Sequence, residues 1–190
     1  VFKKNGIEVL LLHDRVDEWL VAHLTEFEGK SLESVAKGDL DLGGLLDSEF
    51  EEKQQQETEH DFKIIVERMQ KAIGEKATAV RLTHRLTESP ACLVAEKDGM
   101  SANLGRILKA SGQVVSSTPL ILEINPSHPI ISRLKDETDE ARFKDWSHIL
   151  FDQAMLAEGG QLEDPSGFVK RLNELMLQMS GGPKSRIWTP

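Results

Sequence analysis

The stretch DEARFKDWSHILFDQAMLAEGGQLEDPSGFVKRLNELMLQM, residues 139–179, decides the fold of the C-terminal part of this chain. Its apolar residues recur every three or four positions, which predicts an amphipathic helix over 139–157. Asp164 followed by Pro165 is a typical helix start, with an acidic N-cap and proline in the first turn. The apolar spacing then predicts a second helix over 165–179. Two helices joined by a short loop containing two glycines predict a helical hairpin.

Apolar residues also lie outside the faces that the two helices turn towards each other. They are Phe151, Met155 and Leu156 on the first helix, and Val169 and Leu177 on the second. A helix that is apolar around most of its circumference needs cover on more than one side. From the pattern alone, that cover is either the rest of the same domain or a second copy of the chain, which would complete a four-helix bundle.

Upstream of the hairpin, the patterns predict three strands, with a long helix before them and a short helix after them. The strands are expected at 80–86, 91–95 and 120–124, the first two as a hairpin. A long helix that begins solvated and ends packed is expected across 47–73, and a short helix at 130–134. The predicted fold is therefore α+β, a mixed sheet covered by helices.

The N-terminal residues predict a small αβ unit of their own. The run 7–12 is apolar and partly β-branched, which predicts a buried strand. Asp14 is expected to cap a helix that reaches Phe27, and 32–36 is a possible strand. Glycines at 38, 43 and 44 indicate a flexible joint. Because an apolar strand pattern follows almost directly on Val1, we expect the chain to be a C-terminal piece of something longer.

Composition excludes several classes of function. The 190 residues carry a net charge of −9, which disfavours nucleic acids and anionic membrane surfaces as partners. No stretch approaches the ~20 apolar residues of a membrane span. The single cysteine, Cys92, excludes an internal disulfide and fits a reducing, cytoplasmic compartment. The sequence contains no nucleotide-binding or hydrolase motif, and its histidines are too scattered for a metal site. A thiol nucleophile at Cys92, paired with His84 or His128, is conceivable but less favoured than simple packing.

A further helix is expected over 100–111, with a narrow apolar stripe. The stripe consists of Met100, Leu104, Ile107 and Leu108, and Gly105 within it weakens the helix. The pattern alone favours a helix facing the core. The alternative is an exposed stripe suited to weak, promiscuous binding.

Several separated segments, in order, resemble the heat-shock protein 90 chaperones and look most like their bacterial members. They are GIEVLLLHD (6–14), DEW (17–19), LTEFEGK (24–30), VRLTHRL (80–86) with SP (89–90), LEINP (122–126) with H (128), and LEDP (162–165). The resemblance covers residues 1 to about 180. It implies the end of the middle domain at 1–44, the C-terminal dimerisation domain at 45–180 and an unassigned tail at 181–190.

The resemblance implies the C-terminal part of an ATP-driven chaperone that acts in protein folding and the stress response. It implies a homodimer whose subunits join through a four-helix bundle. The interface residues expected from the hairpin are Leu150, Phe151, Met155, Leu156, Phe168, Leu172, Leu175, Met176 and Met179. A purely structural dimerisation module, with Met100–Leu108 buried, is the alternative.

Partly folded client proteins are the second partner that the resemblance implies. The expected client-binding residues are Glu18, Trp19, Met100, Leu104, Ile107 and Leu108. No catalytic or metal site is expected, because ATP and magnesium would bind the family's upstream domains, so this chain should not be an enzyme. It ends Ile187-Trp-Thr-Pro190, without an acidic Glu-Glu-Val-Asp tail, so recruitment of tetratricopeptide co-chaperones is not expected.

Overall fold

The computed structural model describes residues 2, 6–12, 14, 16–35, 49–96, 104–105, 107–108, 111–113 and 119–179. Within these residues the chain forms five helices, two small sheets and a 3₁₀ turn, so the expected α+β class is confirmed. In chain order the elements are α1 (Asp17–His23), β1 (Glu26–Phe27), β2 (Lys30–Ser31), α2 (Glu49–Ile73), the 3₁₀ turn (Gly74–Lys76), β3 (Ala79–Leu82), β4 (Ala91–Ala95), β5 (Leu120–Ile124), α3 (Pro129–Lys135), α4 (Glu140–Ala157) and α5 (Pro165–Met179).

The N-terminal unit consists of α1 and an antiparallel hairpin of β1 and β2. Gly29, at φ +77°, occupies the hairpin turn, where a left-handed backbone favours glycine. The helix ends at His23, so the expected extension to Phe27 is wrong, because residues 26 and 27 pair with β2 instead. Asp14 does not cap α1, whose N-cap is Val16 with no side-chain cap bond.

The expected buried strand at 7–12 is wrong. These residues are not in a strand, and Leu11 is 87% exposed. An apolar strand is buried only when another strand or helix covers it, and neither described sheet includes this segment. The possible strand at 32–36 is also wrong where it is described, since 32–35 lie outside β2. The glycine joint at 38, 43 and 44 lies outside the described residues.

The larger sheet has the order β3-β5-β4. β5 runs parallel to β3 and antiparallel to β4, so the predicted hairpin of β3 with β4 is wrong, although all three strands exist. β5 takes the centre because both its faces are buried, with Leu122 and Ile124 on one side and Ile121 and Glu123 on the other. β3 is also shorter than expected, because it ends at Leu82.

The long helix α2 packs only its second half. Phe62, Ile65, Met69 and Ile73 are buried at helical spacing, as the sequence predicted. Ile64, on the opposite side, is 70% exposed. In the charged first half of the helix, the side chains up to residue 57 lie outside the described residues. The solvation of this half therefore stays a prediction.

Side chains cap the starts of the last three helices, and the cap at Asp164 is the one that the sequence predicted. The His128 ring accepts a hydrogen bond from the Ile130 amide at the start of α3. Asp139 accepts from two amides of the first turn of α4, and Asp164 accepts from the Gly167 amide at 2.8 Å. The predicted helical hairpin is confirmed. In it, α4 packs on both α2 and β4, and α5 packs on α4. No helix in the described part of the chain has the length and apolar character needed to cross a lipid bilayer.

Candidate functional site: the α4–α5 hairpin and the exposed apolar surfaces

The α4–α5 hairpin has one apolar side covered by its own subunit. Leu150 and Phe151 on α4 belong to the core cluster, at 1% and 5% exposure. Met155 packs against the same cluster, and Leu175 on α5 is 4% exposed. These four of the predicted interface residues therefore lie wholly or partly beneath the surface of a single subunit.

The opposite side of the hairpin exposes apolar side chains. On α5 they form what we call the outer ridge, defined as Val169, Met176, Leu177 and Met179, which are 51%, 60%, 51% and 62% exposed. Leu156 at the end of α4 is 46% exposed. Val169 and Met176 are seven residues apart, two helical turns, so they share one side of α5. Of the remaining predicted interface residues, Phe168 and Leu172 are half-buried.

A buried ion pair fixes α5 on α4. The Arg171 guanidinium donates to the Asp152 carboxylate at 2.9 Å, and these side chains are 20% and 6% exposed. Such a pair orients the two helices, because a partly buried carboxylate needs its cation close by. Sequence analysis did not identify this ion pair, although the position of Asp152 on an otherwise apolar helix face was a signal for it.

Two further ionisable groups on α4 respond to this environment. Burial, reinforced by Lys76 and Arg171, lowers the pKa of the half-buried His148. Burial and the neighbouring Glu174 carboxylate raise the pKa of Asp145. Both shifts keep these side chains closer to neutral, as burial disfavours the charged form.

A second exposed apolar surface surrounds Trp19 in the N-terminal unit. Trp19 is 49% exposed, as its predicted client-binding role requires. Val16, Leu20 and Phe27 are 66%, 49% and 60% exposed in the same short unit, and none of them was among the predicted client-binding residues. The side chain of Glu18 lies outside the described residues.

The third predicted surface is only partly described. Residues 104, 105, 107 and 108 are helical, and Leu104, Ile107 and Leu108 are half-buried. The backbone carbonyls of Ile107 and Leu108 accept from the Ser111 amide, where the segment turns. Met100 lies outside the described residues. The sequence predicted either buried side chains on a helix facing the core or an exposed stripe, and the half-burial of these side chains lies between the two.

Cys92 lies among charged groups rather than beside a histidine. Its sulfur is 3.5 Å from the Arg85 guanidinium and 3.8 Å from the Glu123 carboxylate. Burial raises the pKa of the Cys92 thiol to about 11. A nucleophilic cysteine needs a lowered pKa, so this environment opposes a catalytic thiol. Among the described residues, no cluster of histidine, cysteine and carboxylate side chains could hold a metal ion.

Comparison with known sequences assigns this architecture to a family. The chain matches the family described as "Hsp90 protein" over residues 1–187, which is nearly its whole length. The chain belongs to the Hsp90 family. The resemblance to this family that was seen in the sequence is therefore confirmed.

Individual bacterial relatives of the Hsp90 family show how far the similarity extends. The "Chaperone protein HtpG" of Nitrosomonas europaea is 62% identical over 178 residues, which are 94% of this chain and 27% of that protein. The protein of the same name from Nitrosococcus oceani is 61% identical over 95% of this chain and 28% of its own length. That from Dechloromonas aromatica is 56% identical over 95% of this chain. The chain thus spans little more than a quarter of these Hsp90 relatives.

Proposed function

We propose that this chain is the dimerising and client-holding C-terminal part of an ATP-driven molecular chaperone that acts in the cytoplasm in protein folding and the stress response. The observation that carries the proposal is the outer ridge, with side chains at least half exposed on a helix whose only buried residue is Leu175. Family membership and the name that its relatives carry, "Chaperone protein HtpG", support the chaperone role.

The outer ridge suits a second copy of the same hairpin. Two α4–α5 hairpins meeting across a two-fold axis would bury each ridge against its equivalent and form a four-helix bundle. Leu156, Met176 and Met179 would make the contact directly, while Leu150, Phe151 and Leu175 would support it from inside each subunit. In the longer chaperone, such a dimer would raise the effective concentration of distant domains for one another.

The apolar surfaces away from the hairpin suit weak binding of partly folded clients. Trp19 and its exposed neighbours would contribute one contact, and Leu104, Ile107 and Leu108 the other. Small apolar contacts gain little free energy after the entropic costs of association, so binding should be weak and tolerant of client sequence. That tolerance is what a general chaperone needs.

One further expectation completes the proposal. The chain itself should neither bind nor hydrolyse ATP, since the resemblance places nucleotide and magnesium in other parts of the chaperone. Isothermal titration with ATP and magnesium tests this expectation directly.

A structural dimerisation module without client binding is the second candidate, favoured by the half-burial of Leu108. Suppression of aggregation of a heat-denatured enzyme separates the two candidates. We expect Leu108→Ser and Trp19→Ala each to weaken suppression while the circular dichroism spectrum is unchanged. Ile64→Ser, at an exposed residue far from these surfaces in sequence, is the matched control and should suppress normally. Unfolding of Leu108→Ser, with normal suppression by Trp19→Ala, would favour the structural module.

A further inference from the structure

The buried carboxylate of Glu123 holds two arginines at the centre of the larger sheet. Glu123 lies on β5, opposite Arg81 of β3 in the strand register. Arg81 donates to Oε1 of Glu123 through Nε at 2.9 Å and Nη2 at 2.8 Å. Arg85, in the loop after β3, donates to Oε2 at 2.6 Å. The Glu123 side chain is 5% exposed, so the two guanidinium groups replace water around a buried charge.

Arg85 divides its donors between this carboxylate and a distant part of the chain. Its Nη1 group donates to the backbone carbonyl of Val35, which lies 50 residues earlier and follows the β1–β2 hairpin. The Arg85 side chain is 11% exposed. A guanidinium is a rigid fork of five donors, so it can serve a carboxylate with one edge and a carbonyl with the other. One side chain therefore joins the N-terminal unit to the C-terminal sheet.

Because two arginines pair with Glu123, the contact between Arg85 and Val35 can break without destabilising the sheet. If the Arg85–Val35 bond opens, Glu123 remains paired with Arg81 and with Arg85 itself. Opening then exposes no unpaired buried charge, which would be the costly event. The cost is a single hydrogen bond from a charged donor to a backbone carbonyl.

We propose that Arg85 is a releasable clamp that sets the position of the N-terminal unit relative to the C-terminal sheet, with Glu123 as its anchor. When the clamp is closed, the N-terminal unit, which carries Val35, is held against the sheet. When it is open, the unit moves while the sheet and its buried ion pair stay intact. This property concerns contacts inside the chain and does not depend on dimerisation or client binding.

The distance between the two units tests the clamp. Spin labels carried by unnatural amino acids at the exposed positions Glu33 and Asp136 report on one unit each and leave Cys92 untouched. Labelled chain is diluted with unlabelled chain, so that distances within one subunit dominate. In the unsubstituted protein we expect a narrow distance distribution by pulsed electron paramagnetic resonance.

The decisive variant is Arg85→Met, which keeps a long side chain and removes every donor. We expect the ratio of closed to open molecules to fall about tenfold or more, because the free energy of one hydrogen bond from a charged group corresponds to a change of that size in an equilibrium constant. Arg68→Met is the matched control. Arg68 also joins a carboxylate, Glu140, to a backbone carbonyl, that of Glu137, but both lie within the C-terminal part. It should leave the distribution narrow.

The outcomes are distinct. A narrow distribution in Arg85→Met, or equal broadening in Arg68→Met, overturns the clamp. If Arg85→Met loses its helical circular dichroism signal, the double variant Arg85→Met with Glu123→Gln replaces it, since the glutamine carbonyl still accepts from Arg81, whose 29% exposed side chain water can solvate. That variant must broaden the distribution as well. A narrow distribution there also overturns the proposal.

Discussion

Met176→Ala on the outer ridge should weaken the proposed dimer strongly while leaving the subunit folded. Met176 is 60% exposed in the single chain, so the subunit core gains little from it. In the dimer, the exposed fraction would be buried against the partner. The substitution therefore separates association from folding, which no change at the buried Leu175 could do.

The magnitude follows from this exposure. Burying a whole Met side chain contributes about 1.5–3 kcal/mol, so burying the exposed 60% contributes roughly 1–2 kcal/mol per subunit. A two-fold interface contains the residue twice, which makes the loss about 2–4 kcal/mol per dimer. Since each 1.4 kcal/mol is a factor of ten, the dimer Kd should rise roughly 30- to 700-fold.

Sedimentation equilibrium over a range of protein concentrations measures this Kd. The control is Ile64→Ala, which truncates an even more exposed apolar residue on α2 and should leave Kd within about twofold. Circular dichroism at 222 nm checks that both variants fold. An unchanged Kd for Met176→Ala, or a wild-type chain that sediments as a monomer at tens of micromolar, would refute the assignment of the outer ridge to the dimer.

Three other predictions concern the subunit itself. Maleimide should modify Cys92 at pH 7.5 roughly a hundredfold more slowly than an exposed thiol, because its pKa is raised from 9.0 to about 11; a rate within tenfold of the urea-unfolded chain would contradict this. His148 takes up a proton less readily in the folded chain than in the unfolded chain, so stability against urea should fall as the pH drops below the ordinary imidazole pKa of 6.5. His148→Gln should make this fall shallower. Equal dependence of stability on pH in the variant and the unsubstituted chain would argue against the role of His148. Phe143→Ala should lower the free energy of unfolding, measured by denaturant titration, by about 3–5 kcal/mol, since this ring is 1% exposed and lies beneath the Arg68 guanidinium at 3.8 Å. A loss of less than about 1 kcal/mol would contradict the placement of the ring in the core.

The helices were predictable because their signals are local. Spacing of apolar residues located α2, α4 and α5, and Asp164 followed by Pro165 located the start of α5. Strand positions at 91–95 and 120–124 followed in the same way from short apolar runs. Pairing was not predictable from those runs, because β5 joins β3 and β4 from 25 or more residues further along the chain.

The candidate surfaces were predictable only in part. Exposure at Trp19, Met176 and Met179 agrees with what the predicted roles require, but the apolar pattern could not tell Leu156, which is exposed, from Phe151, which is buried. Both occupy the same helix and differ only in what packs against them. The apolar residues at 7–12 show the converse, since a pattern typical of a buried strand lies largely exposed here.

By itself, the sequence determined the positions of the main helices, the α+β class, the absence of a familiar catalytic motif and the family, since each depends on residue type and spacing along the chain. The tertiary structure alone decided that β5 lies between β3 and β4, and that Glu123 holds Arg81 and Arg85 while Arg85 reaches Val35. The physical reason is that these contacts depend on distances in space between residues 38 to 50 positions apart, and local spacing carries no information about them.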